Sequence, residues 1–208
     1  MKYIIMCGGT YTSWSTPKHL SIVNGETVIA RTVRLLKETG VSDICLSTNN
    51  PVFEQFGLPI LHHKNTSGEG GMWIEGFYPT DEAVCYIFGD VVFSPEAIKT
   101  IVNTDTNDIE FFASAPPFAD NYIKPYAEPF AFKVKNQKHF RQAIETVRKL
   151  KNQFKREPIA WELWQVIKGT PINKIDYTNY TVINDYTCDV DNKRDVVAFN
   201  EQIFGKET

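Results

Sequence analysis

The chain has 208 residues, a net charge of −3, and 42% hydrophobic and 13% aromatic residues. That length and composition suit one globular domain over residues 1–208 with a sizeable core. The weak acidity gives no electrostatic footprint for nucleic acid or an anionic membrane, no apolar run approaches spanning length, and the N-terminus runs straight into a strand instead of a signal segment. The four cysteines, Cys7, Cys45, Cys85 and Cys188, are not paired at metal-ligand spacing. They read as small buried hydrophobes of a protein in a reducing cytoplasm; a catalytic thiol, the second choice, would need a base that the sequence does not identify.

Residues 3–7 form an apolar run, long enough for one buried strand and too short for a helix. Gly8-Gly9 stops it, a polar loop over 10–16 follows, and Pro17-Lys18 closes the loop. A glycine pair at the carboxyl end of a first strand lets the backbone approach a bound group closely. Amides at such a turn can point at phosphate oxygens, and ligands of open α/β sheets sit beyond the carboxyl ends of the strands. Lys18 adds a cation on an approach stiffened by Pro17. The segment is either a triphosphate site in outline or a plain turn. It is not a P-loop, because Lys18 lies too far from the glycines, nor a dinucleotide fingerprint, because no third glycine opens a helix.

Asn24-Gly25 predicts a tight turn. The row Ile29, Val33 and Leu36 predicts a helix over 27–39, stopped by Gly40, and a strand follows over 43–48. Strand, helix and strand in this compass read as a βαβ unit with a parallel sheet. A short strand over 60–62 precedes 64–72, KNTSGEGGM, which is either the second wall of a binding site or a surface loop. A short helix is expected over 71–77. Residues 83–88, AVCYIF, are the most apolar strand and are expected at the sheet centre, ending in Gly89-Asp90. An acid there is costly to bury unless something pairs with it. A divalent metal would do so; a turn aspartate is the alternative.

Ser94-Pro95-Glu96 carries helix-start signals for a helix to about residue 103. A strand over 109–115 and another over 128–134 flank the aromatic-rich stretch 116–127, which either binds a second substrate or packs. Asn136 caps a long helix to about residue 153, and a further helix over 158–167 holds Trp161 and Trp164 as packing residues. A strand over 180–183 and a last helix reaching Phe204 complete the chain. Before that helix, Asp189 and Asp191 occupy alternate positions, so in an extended segment they share a face and can approach one cation. Carboxylates suit Mg²⁺ or Mn²⁺. Asp195 falls in the opening turn of the last helix, where an acid is favoured.

Four features taken in order carry a resemblance. They are Met6-Cys7-Gly8-Gly9 after the first strand; Pro17-Lys18, with Leu20 and Asn24-Gly25 leading to the first helix; Gly89-Asp90 after a hydrophobic strand; and Asp189-Val190-Asp191 with Lys193, Arg194 and Asp195 before the last helix. Together they resemble the nucleotidyltransferases of glycosyltransferase-A type, among them molybdenum-cofactor guanylyltransferases, sugar-1-phosphate nucleotidyltransferases and cytidylyltransferases. The resemblance implies an α/β fold, a single-domain three-layer αβα arrangement with a mostly parallel Rossmann-like sheet of the nucleotide-diphospho-sugar transferase type. It implies Lys18 as the catalytic cation; Cys7, Gly8, Gly9 and Thr10 as the triphosphate cradle; and Ser67, Gly68 and Gly71 near the base or ribose. It also implies Asp90, Asp191 and Asp189 as ligands of Mg²⁺ or Mn²⁺. Lys124, Tyr126, Glu128 and Glu162 are candidates for acceptor recognition.

The implied reaction moves a nucleoside monophosphate from a nucleoside triphosphate to a small phosphorylated sugar or alcohol, with release of pyrophosphate. The implied setting is cytoplasmic, without nucleic acid or membrane, with a homodimer among the open oligomeric states. This chain departs from the family in its first loop, where an arginine usually precedes the Pro-Lys pair; here no arginine precedes Arg31. Two rivals stand beside the main reading: a glycosyltransferase of the same fold using a nucleotide-sugar donor, and, motivated by the missing arginine, a catalytically weak nucleotide-binding homologue.

Overall fold

A computed structural model describes residues 1–8, 14–63, 73–115, 127–155 and 157–205, with backbone alone at 151 and 152. In chain order, β1 (Lys2–Met6) leads through a short 3₁₀ turn (Lys18–Leu20) to the hairpin β2 (Ile22–Val23) and β3 (Glu26–Thr27). The expected turn joins the two: Asn24 and Gly25 both have positive φ, 50° and 79°, as a tight hairpin connection requires. Then come α1 (Val28–Glu38), β4 (Ile44–Ser47), β5 (Ile60–Leu61), β6 (Val84–Phe88) and β7 (Val91–Val92). The remainder is α2 (Pro95–Asn103), β8 (Ile109–Ala113), β9 (Pro129–Val134), α3 (Gln137–Phe154), α4 (Ala160–Lys168), β10 (Thr181–Val182), β11 (Cys188–Asp189) and α5 (Lys193–Ala198).

Seven strands form one sheet in the order β10-β8-β9-β6-β1-β4-β5. β6 is its middle strand, as its unbroken apolarity requires, because a strand covered on both faces has no polar side. β1 runs parallel to β4 and β6, and β4 to β5, whereas β9 runs antiparallel to both β6 and β8. The sheet is thus mostly parallel and Rossmann-like. Alternation along the strands divides the core into two layers. Tyr3, Ile5, Cys85 and Ile87 face α1 and α2, whereas Ile4, Met6, Val84 and Tyr86 face α3 and α4. The second layer is rich in rings, with Phe111 stacked on Phe132 and Phe77 edge-on to Tyr86 and Phe140.

Local side chains and glycines close several helix ends. The Thr27 hydroxyl accepts from the Ala30 amide at the start of α1, and the Ser94 hydroxyl accepts from the Ala97 amide at the start of α2. Gly40 and Gly169 follow helices with positive φ. The last helix is shorter than expected: α5 ends at Ala198, and a π turn over Phe199–Ile203 continues it. Among the described residues no helix is long and apolar enough to cross a membrane.

Arg31, the chain's first arginine, is structural. It is 4% exposed. It donates to the Phe93 carbonyl (2.8 Å), the Tyr186 hydroxyl (2.8 Å) and the Glu26 carboxylate (3.2 Å), and its guanidinium lies over the Phe204 ring. It ties α1 to the segments following β7 and β10. Arg31→Ala removes three hydrogen bonds, among them the one to the carbonyl of fully buried Phe93, while Glu26 keeps Arg34. It should therefore cost about 2 kcal/mol of stability, read from the urea midpoint; a midpoint equal to wild type would contradict the anchoring role.

Candidate nucleotide and metal site

The carboxyl ends of β1 and β6 meet at one close contact. The Gly89 amide donates to the Met6 carbonyl at 3.0 Å. A β-carbon added at Gly89 would lie 2.5 Å from that carbonyl oxygen, 2.9 Å from the His19 ring and 3.0 Å from the Cys7 sulfur. Only glycine fits, because the first obstacle is backbone and cannot rotate away. The contact fixes where the next residue, Asp90, leaves the sheet. Gly89→Ala should lower stability by about 1–3 kcal/mol and displace Asp90. A crystal structure of the variant with Asp90 unmoved would remove this account of Gly89.

The C-terminal acids reach the same place through a two-stranded pairing. β11 lies antiparallel to β7, with Asp189 opposite Val91, and the Val190 amide donates to the Asp90 carbonyl at 2.9 Å. Asp189 and Asp191 are thereby brought beside Asp90 from the far end of the chain. Trp14 donates from Nε1 to the Asp191 carbonyl at 3.3 Å. Asp195 fixes the corner that follows: its carboxylate accepts from the Asp191 and Asn192 amides at 2.8 and 3.1 Å, forming a capping box with Asn192.

Lys18 sits in the middle. Its ammonium is 2.6 Å from Asp90 Oδ2 and 3.4 Å from Asp191 Oδ1. Burial alone would lower the Lys18 pKa, but Asp90 and, behind it, Asp189 and Asp191 outweigh burial and raise it. Asp90 shows the converse. Burial works to raise its pKa, and Lys18 then holds it below the usual carboxylate range. Lys18 is thus the ion-pair partner of this acid at the strand end. The Glu128 carboxylate, at the entry to β9, joins the C-terminal acids. One carboxylate oxygen from each of Glu128, Asp189 and Asp191 lies within 4.8 Å of the others. Glu128 is buried, and its backbone is locked to Ser114 by amide, carbonyl and hydroxyl contacts.

Of the remaining expected residues, Cys7 is buried directly after β1, and its amide donates to the Ser47 carbonyl at 2.9 Å. Burial, with Asp90 nearby, pushes the Cys7 thiol well above its ordinary value, the opposite of what a reactive thiolate needs. The other three cysteines are buried too, and all four are free. Gly8 ends the first described segment with His63 against it. Glu162 lies at α4, where its carboxylate accepts from the Ile159 amide at 2.9 Å and caps the helix. Gly9, Thr10, Ser67, Gly68, Gly71, Lys124 and Tyr126 lie outside the described residues.

The placement of three residues of this neighbourhood was not legible in the sequence. Glu128 was read toward the acceptor and not as a neighbour of Asp189 and Asp191. His19 is 2% exposed and lies edge-on to Phe53, its ring centroid 5.5 Å away. Burial drives its pKa down to about 4 despite Asp90 and a hydrogen bond to the Met6 backbone. His63 is the third. A histidine directly after a proposed catalytic lysine was visible; a histidine packed on Gly8 from another strand was not.

Carboxylates gathered around one lysine, at the edge where open sheets bind ligands, are what an enzyme handling a metal-chelated polyphosphate requires. The chain belongs to the MobA-like NTP transferase domain family, which matches residues 3–158, and is a nucleotidyltransferase. Solved structures share the fold at low identity. A protein from Bacillus anthracis assigned as a glucose-1-phosphate thymidylyltransferase, in complex with a sucrose, is 16% identical, with 97% of this chain and 94% of that one covered and a TM-score of 0.58. The CTP:phosphocholine cytidylyltransferase of Streptococcus pneumoniae is 15% identical over 97% and 98% of the two chains, with a TM-score of 0.54. The 4-diphosphocytidyl-2C-methyl-D-erythritol synthase of Anaerococcus prevotii is 16% identical over 98% and 97%, with a TM-score of 0.55.

Proposed function

We propose that this protein transfers a nucleoside monophosphate from a nucleoside triphosphate to a small phosphorylated sugar or alcohol, releasing pyrophosphate. The observation that carries the reading is a single cation held between Asp90 and Asp191 at the carboxyl ends of β1 and β6. Two acids from mid-chain and tail, already converged on one positive charge, fit a divalent ion in chemistry as well as in place: all the donors are carboxylate oxygens, which Mg²⁺ and Mn²⁺ prefer. Asp90 and Asp191 would hold that ion, with Asp189 and Glu128 beside it. When bound, it supplies charge neutralisation and polarises the phosphoryl oxygens.

The chain's own part is positioning and electrostatics. The amides at Gly8 and Gly9 cradle the phosphates, and Lys18 exchanges its carboxylate partners for phosphate oxygens, where negative charge builds in the transition state. An oxygen of the acceptor phosphate forms a bond to the α-phosphorus, and the bond from that phosphorus to the pyrophosphate oxygen breaks. The acceptor oxygen is already anionic, so no general base is needed, in keeping with a high-pKa thiol at Cys7 and a histidine at position 19 held by burial. Support for the acceptor class comes from the structural relatives, whose names describe a sugar 1-phosphate and an alcohol phosphate. Four buried free thiols suit a cytoplasmic setting.

The direct test mixes the protein with Mg²⁺, each common nucleoside triphosphate and a panel of sugar 1-phosphates and alcohol phosphates, and measures pyrophosphate. Release that needs both substrates is the expected result. Turnover of a nucleotide sugar without any pyrophosphate would replace the proposal with glycosyl transfer. Binding of triphosphate with no turnover on any acceptor would leave a nucleotide-binding homologue.

A further inference from the structure

Trp14 has no part in the transfer step, yet it holds the main chain of an acid that would bind the ion. It is half-buried and packs against the cluster that contains Val23, Val28, Val92 and Cys188. That cluster joins β2, α1, β7 and β11, so the ring has a firm seat. All four tryptophans donate from the indole to a backbone carbonyl. The acceptors of Trp73, Trp161 and Trp164 are Pro158, Ala127 and Thr178, at 2.6, 3.0 and 3.1 Å. The acceptor of Trp14 is Asp191, at 3.3 Å.

Asp191 needs outside support. The ladder between β7 and β11 ends at Asp189, and the Val190 amide adds one bond, to the Asp90 carbonyl. Asp191 comes next, on an exposed corner, with its side chain 44% accessible. Each of its polar groups is tied to another residue. The amide donates to the Asp195 carboxylate at 2.8 Å, the carbonyl accepts from Trp14, and the carboxylate lies 3.4 Å from the Lys18 ammonium. Two of these ties come from the same short N-terminal stretch, residues 14 and 18. Their fates differ in the reaction. Lys18 leaves Asp191 when it turns to phosphate oxygens. The Trp14 N–H is neutral and bonds the main chain, so an ion on the carboxylate has no reason to expel it.

We propose that Trp14 is a positioning residue for the ion site: its indole N–H fixes the Asp191 main chain, and so keeps the carboxylate in place when Lys18 leaves. The inference rests on the nucleotidyl-transfer reading, in which Asp90 and Asp191 hold the ion. A carboxylate on an untied exposed corner must give up main-chain and side-chain freedom to bind a cation, and that loss weakens the site. Holding the corner beforehand removes part of the loss, as groups behind a ligand do at metal sites. The tie also runs the other way. An ion that draws on the Asp191 carboxylate shifts the carbonyl of the same residue against the indole, so the tryptophan senses the ion.

The test follows the indole N–H signals of the wild-type protein by ¹H–¹⁵N NMR as Mg²⁺ is added. The Trp14 signal should move, whereas those of Trp73 and Trp164, bonded to Pro158 and Thr178, should stay. Trp14→Phe keeps an aromatic ring on the apolar seat and deletes the N–H. It should weaken binding of Mn²⁺, measured by calorimetry, by about five- to tenfold. A packing role predicts something else: a lower urea midpoint with Mn²⁺ affinity intact. That result overturns the proposal. So does a Trp14 signal that ignores Mg²⁺ in wild-type protein that binds it, a readout that decides the matter even if Trp14→Phe misfolds; nucleotidyl transfer then stands. Wild-type protein that binds neither ion, with or without a nucleoside triphosphate, removes the ion site and the role of Trp14 together.

Discussion

Lys18→Ala should lower kcat for pyrophosphate release by about 10²–10³-fold, the loss seen when one preorganised electrostatic partner of a transition state is removed. The same substitution should also destabilise the protein, because it strips the ion-paired ammonium from Asp90, 2.6 Å away, and from Asp191. A largely buried carboxylate left unpaired costs about 3 kcal/mol. The two effects respond differently to metal. If Asp90 and Asp191 are the ligands proposed above, millimolar Mg²⁺ should raise the melting temperature of Lys18→Ala more than that of wild type, because the divalent ion replaces the missing charge and binds only the folded state. Asp90→Asn in the Lys18→Ala background should abolish the extra stabilisation. Equal Mg²⁺ responses in wild type and Lys18→Ala would mean that the ion does not share Lys18's place. Unchanged kcat in Lys18→Ala would remove the lysine from the chemistry altogether.

What could be read before the structure divides along the distance between interacting residues. α1 was legible because its apolar row and its Gly40 stop are both local. α2 was legible from Ser94-Pro95-Glu96, and β6 could be placed at the sheet centre from its composition. The convergence of Asp90, Asp189 and Asp191 was anticipated from motif order. Its cause, the two-residue ladder between β7 and β11, carries no local signal, since two residues show no periodicity. The antiparallel insertion of β9 between β6 and β8 was hidden for the same reason: strand direction is decided by the connections and by partners far away in sequence. Glu128 arrives at the acidic group only because β9 lies where it does. His63 meets Gly8 because β5 lies beside β4, which lies beside β1. The first loop's missing arginine is not supplied by Arg31, whose guanidinium is spent on Glu26, Phe93 and Tyr186.

His19 makes stability fall in mild acid, with a sign that its environment sets. Its ring is buried against Phe53 and hydrogen-bonded to the Met6 backbone, with Asp90 and Lys18 as the charged groups facing it. Burial dominates and lowers its pKa from 6.5 to about 4. Between those two values the unfolded chain binds a proton that the folded protein refuses, so protonation favours unfolding. The stability attached to this group is complete above pH 6.5 and is lost as the pH falls toward 4. Linkage sets the loss at about 3 kcal/mol over that window, with a slope of up to roughly 1.4 kcal/mol per pH unit. Asp90, whose pKa is held low by Lys18, adds a loss of the same sign only below the ordinary carboxylate range, so the two contributions separate on the pH axis. His63, also lowered by burial, contributes in the same direction. Urea unfolding at intervals from pH 7 to pH 4, with chelator present to keep Asp90 and Asp191 free of metal, should show the decline. His19→Asn, which keeps an N–H for the Met6 backbone and cannot titrate, should flatten most of it. A wild-type stability that stays level from pH 7 to pH 4.5 would mean that His19 accepts its proton in the fold as readily as in water, and hence that the packing of β1, Phe53 and the Lys18 turn opens around it.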